Sequence, residues 1–149
     1  MTELVMGLGI LLGLLFHEVA GLSPGGVVAP AYLAVFLDQP ARVAGTLLVS
    51  AATYAAMRGL GAGLMLYGRR KMGVTLAVGF LLRLGWDAII TTSGAGAAAA
   101  GFTAIGFIVP GLIAADMERQ GVLRTWAALL IVAALVRLAI YAARGLGWL

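Results

Sequence analysis

The sequence predicts an all-α integral membrane protein with four full spans and two shorter, broken segments. Only 11% of its 149 residues are charged and 62% are hydrophobic, whereas a soluble domain has about 25% charged residues. The mean hydropathy is +1.06. The apolar residues are also gathered into stretches that match the roughly 17 to 25 residues of a membrane-spanning helix. These three observations together favour a small bundle of membrane helices.

Four apolar stretches have the length of ordinary spans, at residues 4–20, 41–57, 72–91 and 125–145. The first begins beside acidic Glu3 and has no basic leading region, so we predict a retained span and not a cleaved secretory signal. The basic residues lie mainly between the stretches, which is the pattern of positive-inside anchoring. We therefore expect a multi-pass protein of a bacterial-type cell (inner) membrane.

Two shorter apolar segments, residues 23–37 and 101–115, contain proline and glycine and align with each other at an offset of 80 residues. Glycine, proline and alanine coincide in the pairs Gly26/Gly106, Pro30/Pro110 and Ala34/Ala114. Each segment leads into a polar turn that contains glutamine, and the two turns are Asp38-Gln39-Pro40 and Glu118-Arg119-Gln120-Gly121. The order span, broken segment, span therefore occurs twice.

This repetition predicts one transmembrane domain over residues 1–149, with repeat 1 at about 4–57, a connector at 58–71 and repeat 2 at about 72–145. A broken segment of about six extended and eight helical residues reaches roughly 30 Å, so it can cross the bilayer or be re-entrant. With the basic connector in the cytoplasm, crossing places six cationic residues inside and two outside, against five and three for re-entry. Crossing is favoured, re-entry stays open, and crossing makes the second repeat inverted.

Ionisable residues within or beside the apolar stretches are candidates for function, because an unpaired charge in the bilayer is costly. Glu18 ends the first span just before a broken segment, and an interfacial helix end is its alternative role. Arg83 and Asp87 are four residues apart and are predicted to pair on one helix face. Arg137, in the last span, is predicted either to snorkel or to meet an acid on another helix.

The prolines and glycines have predicted structural roles. Pro30 and Pro110 each remove a backbone donor in mid-segment, and the carbonyls left over need partners in protein or in cavity water. We expect them to mark a conduit. Glycine at small helix interfaces allows close approach, and we expect this of Gly9, Gly13, Gly59, Gly61 and Gly63.

Several kinds of site are disfavoured by the composition. There is no cysteine, and His17 is the only histidine, which argues against zinc sites and Ser-His-Asp catalysis. No Gly-x4-Gly-Lys-[Ser/Thr] loop occurs, and Gly59-x-Gly61-x-Gly63 does not fit a dinucleotide fingerprint. The net charge of +4 comes from dispersed residues without an aromatic-interleaved basic face, so nucleic acid is not an expected partner. We predict no catalytic residue, metal or cofactor in this chain.

A series of short motifs covers about residues 14–121. They are Glu18-x-x-Gly21-x-x-Pro24-x-Gly26-x-Val28-x-Pro30-x-Tyr32-Leu33, Gln39-Pro40, Val49-Ser50, Thr53-Tyr54, Leu66-Tyr67-Gly68-Arg69-Arg70-Lys71, Asp87, Ile105-Gly106-x-Ile108-Val109-Pro110-Gly111-Leu112-Ile113-Ala114 and Gln120-Gly121. The series strongly resembles the small membrane subunit of bacterial poly-γ-glutamate (capsule) synthase, the PgsC or CapC family. One departure is Thr103, which stands where family members tend to have an arginine, so a polymer-gripping role of that arginine is not carried over.

The resemblance implies a role in making and exporting poly-γ-glutamate, an anionic chain of glutamates joined through their side-chain carboxylates. The expected partners are an ATP-dependent amide ligase of the PgsB or CapB kind, which would hold ATP and Mg, further membrane subunits, the polymer and the lipid bilayer. The implied polymer-path or structural polar residues are Glu18, Pro24, Pro30, Gln39, Arg83, Asp87, Pro110, Gly111 and Gln120. The residues expected at the cytoplasmic face or against a partner are Tyr67, Arg69, Arg70 and Lys71.

Two other functions stay open. The inverted repeat alone is typical of a free-standing small transporter, here for an anionic solute. A membrane anchor for the ligase is a third hypothesis, which we rank last because an anchor needs one span and no broken segments. For the basic run at residues 69–71, a positive-inside stop is an alternative that is compatible with contact to a partner or to the polymer.

Overall fold

The computed structural model describes residues 2–63, 65, 67–94, 105–106 and 108–146. Over these residues the chain is helical and contains no strand. The helices are α1 (Thr2–Ala20), α2 (Ala29–Val35), α3 (Pro40–Gly61), α4 (Arg69–Thr92), α5 (Val109–Gln120) and α6 (Val122–Gly145). Four of them, α1, α3, α4 and α6, are long and apolar enough to cross a membrane. The predicted all-α membrane class and the four predicted spans are confirmed.

Glycine and proline set several of the helix boundaries. After α1, Gly21 has a φ of +64° and its N–H donates to the His17 carbonyl at 2.9 Å, as at many helix C-termini. Between α5 and α6, Gly121 has a φ of +94°, a conformation that L side chains rarely adopt. Pro40 is the first residue of α3, where its fixed φ suits the first turn.

The prolines of the broken segments begin helices and do not interrupt them. Pro30 is the second residue of α2 and Pro110 is the second residue of α5. An N–H in the first turn has no partner within the helix, so proline there orphans no carbonyl. The prediction that these prolines leave carbonyls in need of partners is therefore wrong. A second correction concerns residues 118–120, which were predicted as a polar turn and form the last turn of α5.

The two broken segments share local geometry. Gly26 and Gly106, which are 80 residues apart, both have positive φ, at +81° and +64°. The residues just before α2 and α5, Val28 and Ile108, both have right-handed helical dihedrals and accept a backbone hydrogen bond at 3.1 Å. The offset seen in the sequence therefore extends to backbone conformation.

Most helix contacts also correspond between the halves, although the packing of α5 on α6 is not matched by equal packing of α2 on α3. In the first half α1 packs on α2, and in the second α4 packs on α5. Across the halves, α3 packs on α5 and on α4, just as α6 packs on α2 and on α1. Helices α2 and α5 also touch each other, and the main core cluster combines residues of α2, α3, α5 and α6. The core thus lies where the two halves meet.

Glycine permits the closest helix contacts in both halves. A Cβ on Gly9 of α1 would lie 2.5 Å from the Ala31 Cβ of α2, and a Cβ on Gly79 of α4 would lie 2.8 Å from the Gly111 Cα of α5. Gly13 also lies against α2, so the predicted role of Gly9 and Gly13 is confirmed. The same prediction is wrong at three other positions. A Cβ on Gly59 or Gly61 would meet no atom of the described residues within 4 Å, and one on Gly63 would meet only the Leu60 carbonyl oxygen, at 3.9 Å.

The first broken segment runs from one end of the bundle to the other. The backbone of Ser23 bonds to Gln120, two residues before α6 begins, whereas Asp38 pairs with Arg137. Arg137 lies about 22 Å farther along α6 by the helical rise. We name the end where α4 and α6 begin the α4 end, and the end where α1 and α3 begin the α1 end.

Candidate functional site

A buried polar cluster joins the loop before α2 to the C-terminal part of α5. Asp116 of α5 is only 7% exposed. One of its carboxylate oxygens accepts hydrogen bonds from the Ser23 hydroxyl and from the Gly26 backbone N–H, the latter at 2.7 Å. Because a buried carboxylate must be hydrogen-bonded to be tolerated, these two donors account for an acid at this position.

Gln120 adds a second set of bonds to the same loop. Its side-chain oxygen accepts the Ser23 N–H at 2.9 Å, and its amide nitrogen donates to the Ser23 carbonyl. The same nitrogen donates to the Thr125 hydroxyl at 3.1 Å, and that hydroxyl donates to the Gly121 carbonyl at 2.9 Å. We call Ser23, Gly26, Asp116, Gln120 and Thr125 the polar cluster. This cluster supplies hydrogen-bond partners to backbone groups of the loop that have no partner within a helix.

A single hydroxyl does the corresponding work before α5. The Thr46 hydroxyl of α3 accepts the Ile105 N–H at 2.7 Å and donates to the Arg42 carbonyl at 2.8 Å. Thr46 and Ile105 are both buried. Each irregular loop is thus bound by a polar side chain that belongs to the other half of the chain.

A cationic groove lies at the α4 end. Lys71 of α4 and Glu118 of α5 form an ion pair at 3.1 Å, and both line two adjoining cavities of about 230 and 280 Å³. Arg119 lines the first cavity, and Arg58 and Tyr67 line the second. We call these five residues the cationic groove. With three cations and one carboxylate, its composition suits an anionic ligand.

At the α1 end, Arg137 meets an acid on another segment, which settles the two alternatives that the sequence left open. Its guanidinium donates to the Asp38 carboxylate, to the Ala34 carbonyl at 3.3 Å and to the Tyr141 hydroxyl at 3.4 Å. Asp38 lies in the turn between α2 and α3, and the hydrogen bond from Arg137 lowers the pKa of its carboxyl below the ordinary 3.8. A cavity of about 140 Å³ adjoins this pair.

Arg83 and Asp87 form the predicted ion pair on α4, at 3.4 Å. Both side chains are at least partly buried. Along α4, the pair lies past Gly79, in the half of the helix far from Lys71. The polar cluster and the cationic groove lie at the other end, near Lys71. The structure therefore does not bring this pair to either site, and its functional role stays a prediction.

The remaining predicted residues are dispersed. Pro24 is buried beside the polar cluster, and Pro30, Pro110 and Gly111 are buried in helix contacts. Glu18 is exposed at the end of α1 and has no ion pair or hydrogen bond with the part of the chain that the structure describes. Gln39 is exposed and caps α3 through its carbonyl, not its side chain. Tyr67 is exposed and lines the groove, and the exposed Arg69 and Arg70 precede Lys71 in the sequence. Leu66 and Thr103 lie outside the described residues.

Asp116 and Ser23 were not predicted as site residues. Asp116 lies four residues before Gln120, which places both on one face of a helix, and this spacing was the available signal. It was missed because residues 118–120 were interpreted as a turn. Within the described residues, no three His, Asp or Glu side chains come together in a way that could hold a metal ion.

Comparison with known proteins agrees with the resemblance noted from the motifs. The family described as Capsule biosynthesis CapC matches residues 8–126. The chain is 39% identical over 125 residues to the PGA biosynthesis protein CapC of Bacillus subtilis (strain 168), covering 83% of both chains. It is 40% identical over 115 residues to the Capsule biosynthesis protein CapC of Bacillus anthracis, covering 76% of both. No solved structure matches. The chain therefore belongs to the CapC family of capsule biosynthesis proteins.

Proposed function

We propose that this protein is a membrane subunit of a complex that synthesises and exports poly-γ-glutamate, and that an ATP-dependent amide ligase is its catalytic partner. The observation that carries the proposal is the cationic groove. It is built around Tyr67 and Lys71 of the Tyr-Gly-Arg-Arg-Lys motif, with Arg58 and Arg119 added from other helices. A groove of this charge, in a CapC family member, suits a product that carries one carboxylate per residue.

We further propose that the two halves form an inverted repeat. The matching helix contacts, the positive φ of Gly26 and Gly106, and the close contacts of Gly9 with Ala31 and of Gly79 with Gly111 all support this. In membrane proteins with such repeats the working site lies between the halves, around their broken helices. The polymer path would accordingly pass near the contact of α2 with α5.

That contact includes a cavity of about 410 Å³. Of the described residues that line it, Tyr32 alone has a polar side-chain group, and the others are Val28, Gly106, Ile108, Val109 and Leu112. An anionic chain needs hydrogen-bond donors or cations along its path. We therefore propose that this chain forms only part of the conduit and that further membrane subunits complete it.

The proposed orientation places the α4 end in the cytoplasm. Arg58, Arg69, Arg70, Lys71, Arg119 and Arg124 all belong to this end, as the positive-inside rule requires. The ligase, with its ATP and Mg, would then deliver the growing chain to the cationic groove. Export to the other face would follow the direction from the α4 end to the α1 end.

Polymer synthesis in membranes that contain the ligase tests the proposal. We expect the double change Arg58→Gln with Arg119→Gln to reduce polymer output at least tenfold, because two of the three groove cations are removed. Arg124→Gln is the matched control, since Arg124 is an exposed cation at the same end that does not line the groove. Equal output from the control and the double variant, both inserted normally, would contradict the role of the groove.

A further inference from the structure

The acids of two ion pairs occupy matching places in the two halves of the chain. Asp38 follows Ala34 by four residues and Glu118 follows Ala114 by four, so the two acids are 80 residues apart, as the matched prolines are. Asp38 pairs with Arg137 and Glu118 pairs with Lys71. The sequence shows the match of the two acids but not their partners, because the cations come from elements that do not align.

The two pairs lie at opposite ends of the bundle. Glu118 is two residues before Gln120 at the α4 end, whereas Arg137 is near the C-terminus of α6 at the α1 end. Each pair adjoins a cavity: Lys71 and Glu118 line the two cavities of the cationic groove, and Arg137 lines the cavity of about 140 Å³. A ligand entering either cavity reaches the cation of a pair.

Both pairs are accessible to exchange. One side chain of each pair faces solvent: Lys71 is 43% exposed beside Glu118 at 12%, and Asp38 is 69% exposed beside Arg137 at 23%. An ion pair with one member in water adds little net stability. An incoming carboxylate can therefore replace the internal acid at small cost, because it returns the same charge and the same acceptor atoms to the cation.

We infer that Lys71 and Arg137 are carboxylate-binding positions for poly-γ-glutamate, one at each end, which the chain fills with Glu118 and Asp38 when no polymer is present. The inference rests on the proposed function, since it takes its ligand from it. Each residue of a γ-linked chain carries a free α-carboxylate, which is chemically equivalent to the acids already bound. The internal acids thus shield both cations and compete with the polymer for them.

Binding of a fluorescent γ-linked glutamate decamer to the purified full chain in zwitterionic nanodiscs tests this. Glu118→Gln removes the internal competitor, so we expect the Kd to fall roughly two- to fivefold at low salt. Glu18→Gln is the matched control, because it removes an exposed acid that has no ion pair among the described residues. The gain in decamer affinity from Glu118→Gln should exceed the gain from the control. In a protein that also carries Lys71→Gln, it should fall to the control value.

The α1 end gives an independent test at Asp38, which is exposed and whose loss leaves Arg137 its bonds to the Ala34 carbonyl and the Tyr141 hydroxyl. Asp38→Asn should also tighten decamer binding, by more than Glu3→Gln, which removes an exposed acid near the start of α1. A γ-linked isoglutamine decamer with an amidated terminus, in which every free carboxylate is replaced by a carboxamide, should gain nothing from either change.

If neither variant tightens binding beyond its control, or if only one end responds, the inference is overturned. These outcomes are separable from the proposed function because the assay contains no ligase and no ATP. Unaltered decamer binding with intact polymer synthesis would refute the carboxylate-exchange positions alone. If the variants bind the decamer more tightly, as expected, but the chain has no effect on polymer synthesis, only the proposed function is refuted.

Discussion

The carboxylate of Asp116 accepts a hydrogen bond from the backbone N–H of Gly26 at 2.7 Å, across ninety residues of sequence. The acceptor belongs to α5 and the donor to the loop before α2, so the bond forms only when the two halves have docked. It also fixes a loop in which Gly25 and Gly26 both have positive φ. A short irregular segment can thus keep one conformation inside an apolar bundle.

Asp116→Ala should destabilise the folded protein by about 1 to 3 kcal/mol, because buried donors lose their acceptor. Asp116→Asn, which keeps an acceptor oxygen, should lose less. Thermal unfolding in detergent measures both, with Glu18→Ala as the control at an exposed acid. An Asp116→Ala protein as stable as the control would show that the polar cluster does not hold the loop.

Gly79→Ala should destabilise the bundle by about 1 to 3 kcal/mol, because overpacking at a tight contact forces the backbones apart. The added Cβ would lie 2.8 Å from the Gly111 Cα. Gly85→Ala is the matched control on the same helix, since a Cβ there meets no atom within 4 Å. Equal unfolding midpoints for the two variants would contradict the close contact of α4 with α5.

Asp87→Ala should abolish polymer output, because it leaves the Arg83 charge in the span without the acid beside it, and a membrane charge costs about 3 kcal/mol on insertion scales. We expect Arg83→Leu with Asp87→Leu to restore a folded, inserted protein that still makes little polymer. Output is measured in ligase-containing membranes. Normal output from the double variant would make the pair structural and place the path elsewhere.

The natural absence of cysteine allows a direct test of topology. Single cysteines at Gly61 and at Arg119, both exposed, should react with a membrane-impermeant thiol reagent from the same, cytoplasmic face. The Lys71–Glu118 ion pair already joins the two segments in question at one end of the bundle. Labelling from opposite faces would exclude six crossings.

The features that the sequence could predict depend mainly on hydropathy or on spacing along the chain. The spans follow from hydropathy and length, and the Arg83–Asp87 pair follows from a spacing of four residues on one helix. The offset of 80 residues between the broken segments pairs Gly26 with Gly106, and both of these glycines have positive φ. None of these inferences needs to know which helices are neighbours.

The predictions that failed depended on where helices begin or which helices meet. Pro30 and Pro110 leave no carbonyl without a partner because they lie in the first turns of α2 and α5, and hydropathy does not show where a first turn lies. Hydropathy ends α5 at its first charged residues, although the helix continues to Gln120. The bond of Arg137 to Asp38 spans 99 residues, and no periodicity in a single sequence reports such a contact.

In the proposed function, this chain and an ATP-dependent ligase make polymer together. The most direct measurement is glutamate- and ATP-dependent formation of poly-γ-glutamate in membranes containing the ligase alone, this chain alone, or both. We predict polymer only when both are present, and no ATP turnover by this chain alone, because it has no phosphate-binding loop. Equal polymer from the ligase alone, or ATP turnover by the purified single chain, would contradict the account.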